Sequence, residues 1–392
     1  MLETIKHILV GTGGSTNSLS TIENLAKQAG IRIDQTHIVK TDNAHVARLI
    51  VNSEPPYKEH FLNGVILNRQ GQVICCPPRK LITVGVEEFI KHLDTHELIE
   101  AANATMVSIY YVSNEVDEGE WKISTTRSMD ADNFIPMGFM RLRDVFDELL
   151  GRYKLIGADG KYPFNPLHSY TFMISHPHYH VLPLHELHFV SCWDVAQQCY
   201  CDPDIDLDGL RQYRVTSPPE MELGDFIRQM NLNSMSNVAK KQFRQSMGFI
   251  LRAKKGGKDY YLPSDITNFL RKYIYSSFRE SIVLIEHRQY YVALKLTLIK
   301  LEDASIYNVV IAGSTLDAYV GVIEKILVAA RVLYESYWSS GCLRIPGYNV
   351  NEFYNMAASL YSAKVSPDNM LGMDNIALLW PFVHMYIISA GA

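Results

Sequence analysis

Residues 101–111 read AANATMVSIYY and residues 121–130 read WKISTTRSMD, with the polar stretch SNEVDEGE between them. TMVSIYY is a short run rich in β-branched and aromatic residues, the composition of a strand. Two such runs joined by a turn-prone segment are the pattern of a β-hairpin. Working outward, NGVILN, QVICC, SYTFMI, LHFVSCWDV, GFILRAK and KDYYL carry the same signature, with hairpin-type turns at NRQGQ and KKGGK. Residues 61–290 are therefore expected to be mainly antiparallel sheet. One helix is expected to interrupt them, over MRLRDVFDELLGRY (140–153), where apolar residues recur at helical spacing and Gly151 marks the end.

The flanks have a different character. HILV (7–10) reads as a strand and STIENLAKQAG (20–30) as a helix capped by Ser20 and stopped at Gly30. The intervening GTGGSTNS (11–18) lacks the Gly-Lys-Ser/Thr ending of a phosphate loop, and Thr16 stands where a dinucleotide fingerprint needs its third glycine. It reads as a plain connection. After residue 310 the period turns helical in STLDAYVGVIEKILVAARVLYESYW, NVNEFYNMAASLYSAK and MDNIALLWPFVHMYIISAGA, the last expected to kink or break at Pro381. The expected organisation is α+β: an N-terminal α/β segment (1–60) packed on the body, an antiparallel-sheet body (61–300) and a helical C-terminal domain (301–392).

Composition bounds the function. At 392 residues the chain is long enough for two cores, and 47% hydrophobic with 20% charged residues is a soluble globular balance. No uncharged apolar run reaches the length of a membrane span, so no membrane insertion is expected. The apolar run in MLETIKHILVGTGG is too short for a signal peptide. Six cysteines, with Cys75 and Cys76 adjacent and Cys199 and Cys201 nearly so, do not form a disulfide framework for this length, which implies a reducing, cytoplasmic setting. A net charge of −5 does not call for RNA, and the clusters KKQFR (240–244) and RAKKGGK (252–258) read as solvated faces.

Four segments, in order, resemble the phage-type RNA ligase family of lysyl-nucleotidyltransferases. FLNGVILNRQGQVICCPPRKLITVG (61–85) is similar to the family's Arg-Gly-hydrophobic run, turn and Arg-Pro-x-x-Lys stretch. TMVSIYY with WKISTTRS resembles the hairpin that follows the nucleophile motif Lys-x-Asp-Gly-Ser/Thr. SYTFMISHPHYHVL (169–182) resembles the strand carrying Phe-Glu and then Asn-Arg, and SMGFILRAKKGGKDYYLPSD (246–265) resembles Glu-Gly-hydrophobics, a turn and Lys-x-Lys. The resemblance implies an antiparallel-sheet RNA ligase-like body with a helical C-terminal domain, and a phage or viral setting in a host-cell cytoplasm.

The same resemblance puts unsuitable residues at the family's chemical positions. Its lysine attacks the α-phosphate of a nucleotide and must be a free amine. Ala101 stands there, with Asn103 for the aspartate, Ala104 for the glycine and Asn63 for the arginine of the first segment. Met173 and Met247 replace glutamates, Tyr179 and His180 the Asn-Arg pair, and Tyr261 and Pro263 the two phosphate-binding lysines to within one position; Lys80 is retained. Nucleotidyl transfer needs cations and metal ions to offset developing charge, which Ala, Met, Tyr and Pro do not supply. The implied protein is a non-catalytic relative that needs no cofactor and binds protein partners as an adaptor, assembly or trafficking component. An atypical active ligase or an RNA-binding accessory is the alternative.

Other readings of single stretches are weaker. KTDNA (40–44) imitates the lysine motif but precedes the segment that the family places before it, and Lys122 lies on the return strand of the hairpin. His176, His178 and His180 in HPHYH alternate as strand ligands of zinc or iron would, with His185 and His188 close behind. Pro177 interrupts them and no carboxylate or cysteine stands at a partner spacing, so a structural role is expected. DIDLDG (204–209) begins like a calcium loop, but its twelfth position is Val215 rather than glutamate, so it reads as an acidic turn. Tyr334, Tyr337 and Trp338 read first as core and second as an interface.

Overall fold

The computed structural model describes residues 33–40 and 45–51 as backbone, and then 64–67, 73–78, 81–112, 119–126, 128, 131–133, 140–157, 160–177, 185–210, 214–215, 221–232, 247–253, 258–264, 267–268, 288–302, 316–340 and 351–389. The expected strand at 7–10, helix at 20–30 and loop at 11–18 lie outside these residues, as does the cluster at 240–244.

Thirteen described strands form three sheets. The first is β1 (Ile33–Lys40), β2 (His45–Val51), β3 (Val65–Leu67) and β4 (Val73–Cys75), in that order and antiparallel throughout. The second runs β11 (Cys199–Cys201), β10 (Glu186–Asp194), β9 (His168–Ser175), β7 (Thr105–Val112), β8 (Glu120–Thr125). The third runs β5 (Ile82–Thr83), β13 (Tyr260–Pro263), β12 (Gly248–Ala253), β6 (His96–Glu100), with β5 parallel to β13 and the rest antiparallel. The helices are α1 (Val86–Ile90), α2 (Leu142–Arg152), α3 (Leu223–Leu232), α4 (Arg288–Glu302), α5 (Asp317–Ser340), α6 (Asn351–Ser362) and α7 (Ile376–Ser389). The fold is mixed α+β with antiparallel sheets.

The hairpin read from TMVSIYY and WKISTT is β7–β8, with Ile109 opposite Ile123. Its alternation sorts side chains as the period requires. Val107, Ile109, Ile123, Tyr170, Phe172, Ile174, Leu187 and Phe189 pack under Leu142, Val145, Phe146 and Leu149 of α2. Tyr110 and Val112 point the other way, onto Ile66, Ile74 and Cys75 of the first sheet. The third sheet is covered on both faces, which is why GFIL is apolar without a break. Phe249, Leu251, Leu98 and Leu262 meet Phe89 of α1 and Phe226, Ile227 and Met230 of α3. Ile99, Ile250 and Tyr261 meet the C-terminal helices.

Several expectations need correction. α2 is joined by α1 and α3 within the body; α1 is a single short turn-and-a-half too brief for a periodic signal, and α3 carries its apolar side chains as Phe226, Ile227 and Met230. A described helix, α4 (Arg288–Glu302), precedes residue 310 and is buried almost all round, with Ala293, Leu294, Leu296 and Leu298 each at 0% exposure. A helix surrounded by protein shows no polar stripe. Pro381 does not break α7, which runs from Ile376 to Ser389. Proline removes one backbone donor from the helix ladder, but Leu379, Trp380, Val383 and Ile387 anchor both sides of it in the core.

Gly248 sets the register between β12 and β13. Its φ is +122°, and a Cβ there would press on the Leu262 carbonyl oxygen and come within 2.9 Å of the Ser264 nitrogen. Gly321 of α5 has open space around it. Gly248→Ala is expected to cost at least about 2 kcal/mol, while Gly321→Ala should stabilise by about 1 kcal/mol. Urea unfolding of the two variants against the parent checks both signs.

Candidate functional site

Of the positions singled out through the resemblance, Ala101, Met247, Tyr261 and Pro263 meet at one end of the third sheet. Ala101 follows β6 directly. Its N–H donates to the Gly248 carbonyl at 2.9 Å, and its own carbonyl accepts the Met247 N–H at 2.9 Å. The Met247 carbonyl in turn accepts the Tyr261 hydroxyl at 2.8 Å and the Ser264 N–H at 3.1 Å. Pro263 lies opposite Gly248, at the place where β13 needs no donor. Two separate sequence stretches thus come together because β6 and β13 both flank β12.

The side chains at this junction face a hydrocarbon environment. Ala101, Met247 and Tyr261 are 4%, 6% and 9% exposed and belong to one cluster with Leu294, Leu298, Val320, Leu327 and Trp380. Lys295 of α4 is also buried, its Nζ 5.2 Å from the centre of the Tyr291 ring. Asn103 is buried on the crossing from the third sheet to the second, and its Nδ2 has no hydrogen-bond partner among the described residues. Met173 lies apart on β9, between Met106 of β7 and His188 of β10. The same face also carries the Ser108 and Thr171 hydroxyls, 2.8 Å apart. Asn63, Lys80, Tyr179, His178 and His180 lie outside the described residues, and so do residues 41–44 of KTDNA. Lys122 pairs with Glu120 at 2.8 Å on β8.

The histidine reading changes once the chain is folded. His176 is 1% exposed at the end of β9. The carboxylate that local spacing did not offer comes from α2: Glu148 Oε2 is 3.4 Å from His176 Nε2, and the His185 ring centre is 4.8 Å from that of His176. Burial acts to raise the Glu148 pKa, but hydrogen bonds from Arg152 and the adjoining His176 outweigh it and hold the carboxyl below its usual range. Glu148, His176 and His185 are one of two groups of metal-ligating type among the described residues. The other is His168, Cys192 and Cys201, which sequence spacing did not suggest at all. In the acidic turn, Asp204 accepts the Tyr170 hydroxyl at 2.6 Å, and Val215 donates its N–H to Leu98 of β6 at 3.1 Å. Val215 thus sits on a sheet edge.

No family model matches this sequence, and no curated protein matches it. Among solved structures the chain is similar to an RNA ligase of Naegleria gruberi, in the apo form of a lysine-to-alanine mutant. The identity is 11% and the TM-score 0.26, over 50% of this chain and 57% of that one. The match spans little more than half the ligase, and at that level no residue role carries over.

A lysine placed at position 101 would enter the apolar cluster. Ala101→Lys is therefore expected to lower stability by at least about 3 kcal/mol, from overpacking and from burying an ammonium. It should yield no covalent adenylate. Denaturant unfolding and gel analysis after incubation with radiolabelled ATP measure the two effects.

Proposed function

We propose that this chain is a non-catalytic protein of RNA ligase-like build that works by binding protein partners, as an adaptor, assembly or trafficking component. The carrying observation is the environment of Ala101, Met247 and Tyr261, packed among leucine, valine and tryptophan side chains of the C-terminal helices. Nucleotidyl transfer asks of such positions an amine nucleophile, a metal-binding carboxylate and cations for the phosphates. Alanine, methionine and tyrosine in hydrocarbon serve none of these purposes. The resemblance to phage-type RNA ligases further favours a phage or viral protein in a host-cell cytoplasm.

Binding needs an accessible surface. The inner stripe of α5, including Tyr334 and Tyr337, is consumed by the core. Across the α5–α6 contact, however, Tyr354 and Tyr361 are 49% and 45% exposed while their rings rest edge-on against Tyr337 and Trp338. Aromatics held rigidly by others yet open to solvent suit a protein interface, because little side-chain freedom is lost on contact.

Two measurements test the reading. Incubation with radiolabelled ATP or GTP and a divalent metal, followed by peptide mapping, is expected to leave no labelled lysine; a nucleotide on Lys295, Lys122 or any other lysine would restore the active-ligase alternative. Substituting Tyr354→Ala and Tyr361→Ala together should leave the circular dichroism spectrum unchanged. It should reduce partner recovery from native-host lysate by about tenfold or more. RNA as the sole recovered partner would replace the protein-binding role by an RNA-binding one.

A further inference from the structure

Three neighbouring strands of the second sheet end together and bring unlike ligands onto one face. Cys192 of β10 lies opposite Cys201 of β11, and His168 of β9 lies opposite Asp194 of β10. Residues two apart on a strand share a face, so His168, Cys192, Asp194 and Cys201 project to the same side. One imidazole nitrogen and the two sulfurs all lie within 4.8 Å of one another. Both cysteines are free thiols. We propose that His168, Cys192 and Cys201 bind a zinc(II) ion.

Ligand chemistry favours zinc over harder cations. Two thiolates and an imidazole select a borderline-soft metal, whereas magnesium and calcium take oxygen. Zinc–ligand bonds of about 2.0–2.3 Å place tetrahedral ligands roughly 3.5 Å apart, so side-chain rotations closing the group by about 1 Å complete the site. His168 and Cys201 are half-buried, which leaves the fourth coordination position to water from the solvent side.

Groups around the histidine are arranged to hold its ring. Asp194 Oδ1 accepts the Ala196 and Gln197 N–H groups at 2.8 Å each, and its Oδ2 lies 3.8 Å from His168 Nε2. Asp204 Oδ1, fixed by the Tyr170 hydroxyl at 2.6 Å, lies 3.6 Å from His168 Nδ1. Either ring nitrogen can therefore turn to the metal while the other keeps a carboxylate neighbour, the arrangement that orients zinc-binding histidines. The ion would pin β11, a three-residue edge strand, to the middle of the sheet. The β10–β11 turn carries Gln198, whose amide bonds both polar backbone groups of Val73 in β4, at 3.1 and 2.9 Å. The site would thus brace the joint between the first and second sheets, whatever the protein binds elsewhere.

The test uses untagged full-length protein purified under reducing conditions without chelator. Elemental analysis is expected to find about one equivalent of zinc. Cobalt(II) exchanged into it should show sulfur-to-metal charge-transfer absorption and tetrahedral d–d bands, a signature that needs no variant to fold. Cys192→Ser and Cys201→Ser should each abolish the charge-transfer band or weaken it severely, while Cys199→Ser, outside the group, retains it. Absence of zinc together with a cobalt spectrum lacking thiolate bands would overturn the proposal. So would a Cys192–Cys201 disulfide in freshly isolated protein, or metal that survives both serine variants and is lost on His176→Gln.

Discussion

The backbone hydrogen bonds between Ala101 and residues 247–248 are the joint on which the rest of the structure turns. Ala101 donates to Gly248 and accepts from Met247, both at 2.9 Å, where the chain leaves the third sheet for the second. A buried peptide group left unpaired costs far more than a made hydrogen bond gains, so this exchange fixes the chain direction at the crossing. Because Gly248 also lies against β13, the bond reaches across three strands. Everything packed on that face, from Ile250 to the helical cluster, inherits its position from there.

Packing and nucleotidyl transfer make opposite demands on such a place. Chemistry wants charge held in a water-excluded site, and every charge so held carries a desolvation cost that a partner must offset. A core wants side chains without charge. At Ala101, Met247 and Tyr261 the core's demand is met, and the Tyr261 hydroxyl, the remaining polar atom of the three, is satisfied by the Met247 carbonyl. Asn103 is the exception, since its buried Nδ2, unpaired among the described residues, bears a cost of about 1–3 kcal/mol. Lys295 shows the other solution, a long amphipathic chain whose ammonium lies over an aromatic ring.

How much of this the sequence discloses depends on whether the information is local. Strand alternation is local, so β7, β8, β9, β10, β12 and β13 are all legible from TMVSIYY to KDYYL. β6 and β11 are short, and neither HELIE nor CYC alternates for long enough to register. α1 fails for the same reason of length, and α4 because a helix buried on nearly every side has no polar face to mark its period, whereas α3, ten residues long, does carry a helical spacing in Phe226, Ile227 and Met230. The metal-ligating groups are invisible for a different reason. Cys192 and Cys201 meet through strand register, and Glu148 reaches His176 from a helix well removed in sequence. A search for closely spaced histidines therefore finds His176 and overlooks its carboxylate. It also misses His168 altogether, because its ligand companions lie on other strands.

The C-terminal helices illustrate how an amphipathic pattern underdetermines function. An apolar stripe on α5 is equally suited to a partner and to the chain's own sheet, and period alone cannot distinguish them. Packing decides: Val320, Ile323, Leu327 and Tyr334 are buried in the same apolar cluster as Ile99, Ile250 and Tyr261 of the third sheet and the side chains of α4. Tyr334 then commits further, its hydroxyl bonding the Val365 carbonyl at 2.7 Å and tying the end of α6 to α5. With the inner stripe spent, the side chains that the helices hold outward include Tyr354 and Tyr361, whose rings rest edge-on against the buried Tyr337. That outward aromatic pair is a by-product of how the core was closed, and any substitution that loosens Tyr337 acts on both.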